Sequence, residues 1–201
     1  GTDTTWSSII DLNNNLVSGA LKTDGTLWVW GKNQYGVLGQ NQAYGPSTKG
    51  KSSPVSIGSG TDWSSASMAY SHCGALKTDG TAWIWGENSN GRLGLNESQP
   101  ASKSSPVQLP GTWVKIDINS ASTGFGWKST TALWSWGYHG RGTLGQNDTQ
   151  SKSSPVQIPG SWPSASGKFS SHFRAAAAVK TDGTLWIWGW NNNGQLGLNE
   201  T

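Results

Sequence analysis

Short apolar runs alternate with polar turns along the whole chain, and one pattern occurs four times. The stretch LKTDGTLWVWG at residues 21–31 returns as LKTDGTAWIWG at 76–86, as VKTDGTLWIWG at 179–189 and, in degenerate form, as WKSTTALWSWG at 127–137. An Asp-Gly pair between two apolar runs predicts a β-hairpin, because a tight primed turn needs a positive φ that Gly adopts freely. In the second strand both sets of alternating side chains are apolar, so both faces of the predicted sheet must be covered.

Several landmarks recur at the same interval and define a repeat. The Gly that ends each tryptophan pair recurs after 55, 51 and 52 residues. A lone tryptophan opens each unit, GxLGxN follows each pair, and KSSPV precedes the next unit. A self-similar period of about 50 residues predicts a propeller or a solenoid. The repeats span approximately residues 1–60, 61–110, 111–160 and 161–201, and the last one is incomplete.

The other segments of each repeat complete a four-stranded unit. WSSII after the first lone tryptophan is a predicted strand, and so is SSPVSI, with its Pro at a strand start where a missing N–H does least harm. No stretch sustains a period of 3.6 residues, and AAAAV at 175–179 takes the place of a strand, so we expect almost no helix. The sequence therefore predicts an all-β fold, a β-propeller of four-stranded blades.

The tryptophan pairs are interpreted as packing between blades. In LWVW the two indoles point to one face of the strand and the aliphatic residues to the other, since side chains alternate along a strand. Each indole buries a large area and adds about 1 kcal/mol of aromatic pairing. A platform for a sugar or a cofactor is the rival interpretation. The structural repeat residues are Trp28, Trp30, Gly31, Trp83, Trp85, Gly86, Trp134, Trp136, Gly137, Trp186, Trp188 and Gly189.

The composition excludes several classes of partner. Charged residues make up 12% of the chain, the formal net charge is +3, and no basic run could follow a phosphate backbone, so no nucleic-acid partner is expected. No apolar stretch approaches the ~18 residues of a membrane span. Cys73 stands alone and is expected as a small buried apolar group in a strand.

No constellation of reactive side chains in the sequence points to catalysis. His72, His139 and His172 come from different positions of different repeats and lack ligand spacing, so no metal site is predicted. The Asp of each hairpin is explained by its turn. The sequence has no nucleophile elbow, phosphate loop or dinucleotide fingerprint. We therefore expect no catalytic residues, no cofactor and no enzymatic activity.

The combination of LKTDGTLWVWG, GxLGxN and SSPV at this spacing resembles the regulator of chromosome condensation repeat family, and the resemblance covers nearly the whole chain. It implies a seven-bladed β-propeller, of which about four blades are present here. It also implies that the remaining blades come from the same polypeptide or from another copy. The third repeat departs from the pattern, because Thr130 and Thr131 replace the Asp-Gly pair, so its turn must change type or bear strain.

Binding is expected at one rim, where the loops after the tryptophan pairs of successive blades come together. The repeats disagree at these positions, and Tyr, Trp and Arg there are typical interface anchors. The alternative is that these are solvent-facing loop residues without a partner. The candidate binding residues are Tyr35, Tyr44, Arg92, Tyr138, His139, Arg141 and Trp190.

The leading hypothesis is a protein-interaction or surface-attachment module whose partner is another protein or a cell-surface component. Repeats this uniform resemble those of bacterial and bacteriophage members of the family, which implies an extracellular or virion-surface location. A secreted protein inhibitor of an enzyme is the first alternative, because the resemblance also extends to inhibitors of this fold. The second is a small-GTPase nucleotide exchange factor or chromatin-binding regulator, which needs loops and a basic tail that have no counterpart here.

Overall fold

The structure, a computed structural model, divides the chain into two compact units. Unit 1 comprises Gly1–Ser89 and Ala101–Thr112, and unit 2 comprises Asn90–Pro100 and Trp113–Thr201. The residues that the structure describes are 3–10, 16–42, 50–97, 101–118, 122–172 and 174–199.

Unit 1 contains two four-stranded antiparallel sheets, blade 1 and blade 2, and each pairs its strands in chain order. Blade 1 consists of β1 (Trp6–Ile10), β2 (Val17–Lys22), β3 (Leu27–Gly31) and β4 (Lys51–Ser56). Blade 2 consists of β5 (Trp63–Met68), β6 (His72–Lys77), β7 (Thr81–Gly86) and β8 (Lys103–Thr112).

Unit 2 repeats this architecture, with all pairings again antiparallel and in chain order. Blade 3 consists of β9 (Lys115–Asp117), β10 (Thr123–Trp127), β11 (Leu133–Gly137) and β12 (Lys152–Gln157). Blade 4 has three strands among the described residues, which are β13 (Phe169–His172), β14 (Ala175–Val179) and β15 (Leu185–Gly189).

The all-β prediction is confirmed. Within the described ranges, the helical segments are two 3-10 turns of three residues each, Gln34–Gly36 and Ser89–Gly91. The alanine run forms β14, as expected, because its pairing with β15 rather than its helix propensity decides its conformation. No helix in the described part of the chain is long and apolar enough to cross a membrane.

The hairpin turns use the predicted glycine but are not the tight primed turns expected from the Asp-Gly pair. In the first hairpin, Lys22 N donates to Thr26 O at 3.0 Å and Gly25 N donates to Lys22 O at 3.0 Å, so the loop holds three residues, 23–25, and Gly rather than Asp adopts the positive φ. Gly25, Gly80 and Gly183 adopt φ values of 78°, 81° and 87°. These angles lie in the left-handed region that an L side chain rarely adopts, which explains the Gly that follows each Asp. In the third repeat the turn changes type: Ser129 Oγ accepts a hydrogen bond from the backbone N–H of Ala132 at 3.2 Å.

A chain of hydrogen bonds explains why a charged turn precedes each tryptophan pair. Asp24 Oδ1 accepts hydrogen bonds from Thr26 Oγ1 at 2.6 Å and from Thr26 N at 3.0 Å, and Thr26 Oγ1 accepts one from Trp28 Nε1 at 2.7 Å. The turn therefore fixes the first indole of the pair. The same bonds link Asp79, Thr81 and Trp83 in blade 2, and Asp182, Thr184 and Trp186 in blade 4.

The lysine before each turn lies between two indoles. Lys77 Nζ is 5.2 Å from the ring centroid of Trp63 and 5.1 Å from that of Trp83. Such cation–π contacts are attractive because the ring face is electron-rich. The lone tryptophan and the first tryptophan of the pair thus form one cluster with the lysine in every blade, with Lys22, Lys128 and Lys180 in the other three.

The second tryptophan of the pair joins its blade to the preceding loop. Trp85 is fully buried, and its Nε1 donates a hydrogen bond at 2.8 Å to the carbonyl oxygen of Val37 in the loop after blade 1. In unit 2, Trp136 donates in the same way to Arg92 O at 3.0 Å and Trp188 to Thr143 O at 3.1 Å. Packing between blades therefore falls mainly to the second indole, whereas the first, such as Trp83, stays half-buried.

The proline of each SSPV segment lies at a bulge rather than at a strand start. Pro54 is the fourth residue of β4, and the register of β3 and β4 shifts between Val29 and Gly31. The missing N–H of proline is tolerated there because the ladder is already interrupted. Pro106 and Pro155 occupy the equivalent places in β8 and β12, where the register shifts as well.

The core of unit 1 is continuous across its two blades. Leu27, Val29 and Leu38 of the first repeat pack in one cluster with Met68 and Trp85 of the second. Cys73 belongs to the same cluster and is fully buried, which confirms the prediction for this residue. Burial without a charged partner raises the pKa of its thiol, so it behaves as an apolar group.

The two indoles of one pair should differ in their contribution to stability. Trp85→Ala leaves a cavity and an unpaired carbonyl at Val37, and we expect it to lower the free energy of unfolding by about 3–5 kcal/mol. Trp83→Ala, at a half-buried site, should cost roughly 1–2 kcal/mol. Denaturant titration of both variants checks this, and equal losses would contradict the division of labour within the pair.

The degenerate third repeat offers a test of the hydrogen-bond chain. Trp134 Nε1 is buried and has no hydrogen-bond partner among the described residues. The triple substitution Thr130→Asp, Thr131→Gly and Ala132→Thr restores the motif and should raise the free energy of unfolding by about 0.5–1.5 kcal/mol. The double variant without Ala132→Thr is the control, because it lacks the hydroxyl that would accept from the indole. A triple variant no more stable than this control would argue against the mechanism.

Candidate functional site

The loops after the tryptophan pairs are held by one side chain each. Asn33 Oδ1 accepts a hydrogen bond from Leu38 N at 3.0 Å in unit 1, and Asn191 Oδ1 accepts one from Leu196 N at 2.9 Å in unit 2. Each bond closes a loop of five residues around its GxLG turn. The intervening side chains are thereby presented on a rigid support.

His139 performs this structural task in the third repeat. Its Nδ1 accepts a hydrogen bond from Leu144 N at 2.8 Å, and the side chain is fully buried. This corrects the sequence-based expectation that His139 is a binding residue, because a fully buried imidazole cannot contact a partner. The alternative role was visible in the sequence, since Asn stands at the same position of the other repeats.

The electrostatic surroundings of His139 keep it neutral. Burial lowers the pKa of the imidazole, and Lys152 adds to this effect, while Asp148 opposes it. Asp148 Oδ1 lies 3.2 Å from His139 Nε2, and its Oδ2 lies 2.8 Å from Lys152 Nζ. The bond from Lys152 is the main reason why the pKa of Asp148 is lowered. The neutral ring accepts at Nδ1, so the proton is assigned to Nε2.

Of two further candidates, Arg92 alone lies where a partner has little access. Arg92 is 7% exposed, and its carbonyl accepts the indole bond of Trp136, so its position is set by packing of unit 2. Tyr35 is half-buried in the first 3-10 turn, with a φ of 62°. Tyr44 lies outside the described residues.

Tyr138 is folded back over its own loop. A β-carbon at residue 140 would collide with the Tyr138 hydroxyl, so the tyrosine ring can lie against this loop because Gly140 has no side chain. Thr143 Oγ1 donates a hydrogen bond to the carbonyl oxygen of Tyr138 at 2.6 Å. The side chain remains half-buried, with its ring held against the loop.

Arg141 and Trp190 come together in unit 2 with a third residue, Arg174. The guanidinium carbons of both arginines lie 5.1 Å from the ring centroid of Trp190. Arg141 is exposed, whereas Arg174 and Trp190 are half-buried. We call these three residues the Arg–Trp–Arg cluster.

Each member of the cluster comes from a different loop. Arg141 lies in the loop after β11, Trp190 directly follows β15, and Arg174 stands between β13 and β14. The backbone N–H of Trp190 donates to Arg174 O at 2.9 Å, which fixes these two loops against each other. Arg174 lies outside the loops that follow the tryptophan pairs, so no repeat pattern in the sequence marked it as a candidate.

A recess of about 420 Å³ adjoins the cluster in blade 4. Arg174, Trp190 and Gln195 contribute polar edges to it, and three alanines, Ala175, Ala176 and Ala177, lie among its apolar lining. His172 reaches the same recess and is exposed. Short side chains on β14 leave this space beside the cationic groups.

Comparison with known proteins identifies the repeat. The sequence profile described as the regulator of chromosome condensation (RCC1) repeat matches residues 24–76, 79–124 and 132–173, and a second profile of the same description matches 172–195. The chain belongs to the RCC1 repeat family.

Relatives and solved structures agree with this assignment. A curated relative, the probable E3 ubiquitin-protein ligase HERC3 of Homo sapiens, is 33% identical over 92 residues, which are 45% of this chain and 8% of that protein. Prp20p from Saccharomyces cerevisiae, in a structure whose description reports binding to Gsp1p and histones, has a TM-score of 0.81 at 17% identity over 100% of this chain and 49% of that one.

A second solved structure supports the same fold. Human WBSCR16 has a TM-score of 0.69 at 17% identity over 88% of this chain and 45% of that one. The chain thus spans about half the length of the solved structures it matches, and a small part of the curated relative. At these identities the structures show the fold, an all-β propeller architecture of four-stranded blades.

The three aspartates of the hairpin turns in this RCC1 repeat chain have a structural role. Hydrogen bonds from the following threonine lower the pKa of the turn carboxylates Asp24, Asp79 and Asp182. These groups sit at the ends of separate hairpins, as predicted. Within the described residues, no group of three or more His, Cys, Asp or Glu side chains could hold a metal ion.

Protonation of His139 in the third RCC1 repeat should make the free energy of unfolding depend on pH. Because the folded state lowers the pKa of His139 below the ordinary value of 6.5, the unfolded state binds the proton more tightly. The stabilising effect of the neutral ring is therefore complete above about pH 6.5 and is lost as the pH falls. His139→Asn keeps an acceptor for Leu144 N and should flatten this part of the profile, as measured by denaturant titrations from neutral to mildly acidic pH. An unchanged slope would assign the pH dependence to other groups.

Proposed function

We propose that this chain is a non-enzymatic protein-binding module that uses the Arg–Trp–Arg cluster of unit 2 as its contact surface. The observation that carries the proposal is the placement of two guanidinium groups around one indole. The guanidinium carbon of each arginine lies 5.1 Å from the ring centroid of Trp190. The RCC1-type propeller fold supports an interaction role in general. Prp20p, one of the solved structures with this fold, binds Gsp1p and histones, which adds support for protein partners.

The chemistry of the cluster suits a protein interface. Trp and Arg are the residue types enriched at positions that dominate binding energy. A guanidinium held against an indole keeps donors at its edge, and these match a carboxylate in a bidentate geometry. The residues at the positions equivalent to Trp190 are Lys32, Glu87 and Tyr138, so this surface is specific to one repeat.

The charge of the cluster indicates the kind of partner. Arg141 and Arg174 bring two permanent positive charges to one ring, and the exposed His172 lies beside the adjoining recess. Complementary charge speeds association and selects partners. We therefore propose an acidic segment of another protein as the ligand of this surface.

Surface attachment is the finer form of this proposal. A chain with 12% charged residues and a surface of Ser, Thr, Asn, Gln and Gly suits an extracellular or virion-borne part. We propose that setting on composition and on the uniformity of the repeats. An enzyme inhibitor would use the same kind of aromatic and cationic surface, and the kind of protein that the chain captures separates the two.

Substitutions in the cluster should weaken binding without unfolding the chain. We expect Arg141→Ala and Trp190→Ala each to weaken binding to an array of synthetic peptides of graded Asp and Glu content by ~10- to 100-fold. Lys168→Ala is the matched control, because it removes an exposed positive charge of unit 2 outside the cluster. Thermal unfolding of each variant verifies the fold.

The partner itself is then captured from the natural source with the wild-type chain. A soluble enzyme among the captured proteins would favour inhibition, whereas a particle or envelope protein would favour attachment. If the Arg141→Ala and Trp190→Ala variants retain every acidic peptide and every partner of the wild type, the proposed contact surface is wrong.

A further inference from the structure

Each blade has two unlike faces. In blade 1, Leu27 and Val29 lie on one side of β3, which we call the aliphatic face. Trp28 and Trp30 lie on the other side, which we call the indole face. In unit 1, the aliphatic face of blade 1 packs in one core cluster with the indole face of blade 2, which carries Trp85. Unlike faces therefore meet at this blade contact.

Unit 2 joins its blades in the same way. Phe125 and Leu133 on the aliphatic face of blade 3 pack with Ala176 on the indole face of blade 4. Trp188 of that indole face donates its hydrogen bond to Thr143 O in the loop after blade 3. In both units, then, an aliphatic face and the loop carbonyl that follows it receive an indole face and its second tryptophan.

The aliphatic face of blade 4 is not covered in this way by the described residues. Leu185 is 63% exposed, although Leu27 and Leu133 at the equivalent positions are fully buried. Ile187 is half-buried, whereas Val29 at the equivalent position is fully buried. The recess of about 420 Å³ lies on this face. Uncovered apolar patches of this kind mark interaction sites.

An open hydrogen-bond acceptor adjoins this face. Gln195 stands where Val37, Arg92 and Thr143 stand in the other repeats, and each of those three carbonyl oxygens accepts an indole N–H. The carbonyl oxygen of Gln195 accepts no hydrogen bond within the part of the chain that the structure describes. Gln195 is exposed and borders the recess, so a donor on a partner can reach it.

The complementary surface is the indole face of blade 1. Ile9 lies on this face, because it pairs with Ala20, which in turn pairs with Trp28. Ile9 is 77% exposed, although its equivalent in blade 2, Ala66, packs against the core cluster. Trp30 is half-buried, and its Nε1 donates no hydrogen bond to another described residue. This face therefore offers an exposed apolar side chain and an open indole donor.

We propose that the aliphatic face of blade 4 binds the indole face of blade 1 of a second copy of this chain. Trp30 Nε1 of one copy donates to Gln195 O of the other, and the contact covers Ile9 and Leu185. The occupant is a second copy because this chain itself carries both halves of the contact, the open donor and the open acceptor. The contact continues an interface that the chain already forms between its own blades.

The contact is head-to-tail, since the two surfaces differ. One copy can bind another through each surface, and growth ends only where a ring closes. Arg174 and Trp190 border the same recess, so the bound copy lies beside the Arg–Trp–Arg cluster. The association does not rest on the proposed acidic ligand, because Arg141 is not among the residues that line the recess.

Sedimentation velocity of the full chain over a concentration series tests the association. We expect the mean mass to rise above that of the monomer as the concentration increases. Ile9→Asp and Leu185→Asp each place a charge at an exposed position that the contact would bury, and should weaken the association at least ~10-fold. Val114→Asp is the matched control, because Val114 is 50% exposed, precedes β9 and belongs to neither face.

A mixing experiment tests the head-to-tail geometry. Ile9→Asp keeps the aliphatic face of blade 4 intact, and Leu185→Asp keeps the indole face of blade 1 intact. We expect each variant alone to be monomeric and their equimolar mixture to form a dimer and nothing larger. Formation of this dimer also shows that both variants are folded. A contact between like faces would leave the mixture monomeric and would overturn the proposal.

Trp30→Phe tests the hydrogen bond to Gln195. It removes an N–H that has no partner among the described residues of its own chain, so the fold loses no bond. We expect the dissociation constant of the association to rise about 10-fold. A wild type that stays monomeric throughout the series overturns the proposal, as does a Trp30→Phe variant that associates as tightly as the wild type.

Two measurements separate this proposal from the acidic ligand. Arg141→Ala should leave the association unchanged. Binding of the acidic peptides is measured on the Ile9→Asp monomer, in which no second copy covers blade 4. Peptide binding by a wild type that does not associate would refute the contact between copies alone, and association without peptide binding would refute the acidic ligand alone.

Discussion

The buried indole N–H is the constraint on which the structure depends. An indole brings a large apolar surface into the core together with one donor whose burial costs about 1–3 kcal/mol if it is left unpaired. In each of the last three blades, the second tryptophan of the pair meets this need by reaching back to a loop carbonyl: Trp85 to Val37, Trp136 to Arg92 and Trp188 to Thr143. One bond thus satisfies a side chain and ties a strand to the loop before it, which explains why the position is always Trp.

The charged hairpin serves the first tryptophan of the pair. Asp24 holds Thr26, Thr26 holds Trp28, and Lys22 lies over the same ring. A polar turn at the outer end of the strand thereby orients a half-buried indole. The residues of the eleven-residue motif thus depend on one another. In its degenerate copy, Thr130 replaces the Asp and Ala132 replaces the Thr that accepts from the indole, and Trp134 Nε1 is unpaired among the described residues.

Comparison of equivalent positions in the four repeats also shows where one repeat differs from the others. His139 replaces an Asn that closes the loop and makes that closure sensitive to protons, because an imidazole titrates and an amide does not. The segment before blade 2, residues 57–63, is two residues longer than the corresponding segments at 109–113 and 158–162. The loops around Trp190 gather two guanidinium groups. The blades keep their strand pairing at each of these places.

The strands, the hairpins and the repeat could be predicted from local patterns, because alternation and turn chemistry act over a few residues. Sequence differences between the repeats also made Arg141 and Trp190 candidate binding residues. The contact of Arg174 with Trp190, the burial of His139 and the different neighbours of the two indoles of a pair became visible only in the folded chain. Those facts depend on contacts between segments far apart in the chain, and no local pattern records which side chain a distant loop will cover.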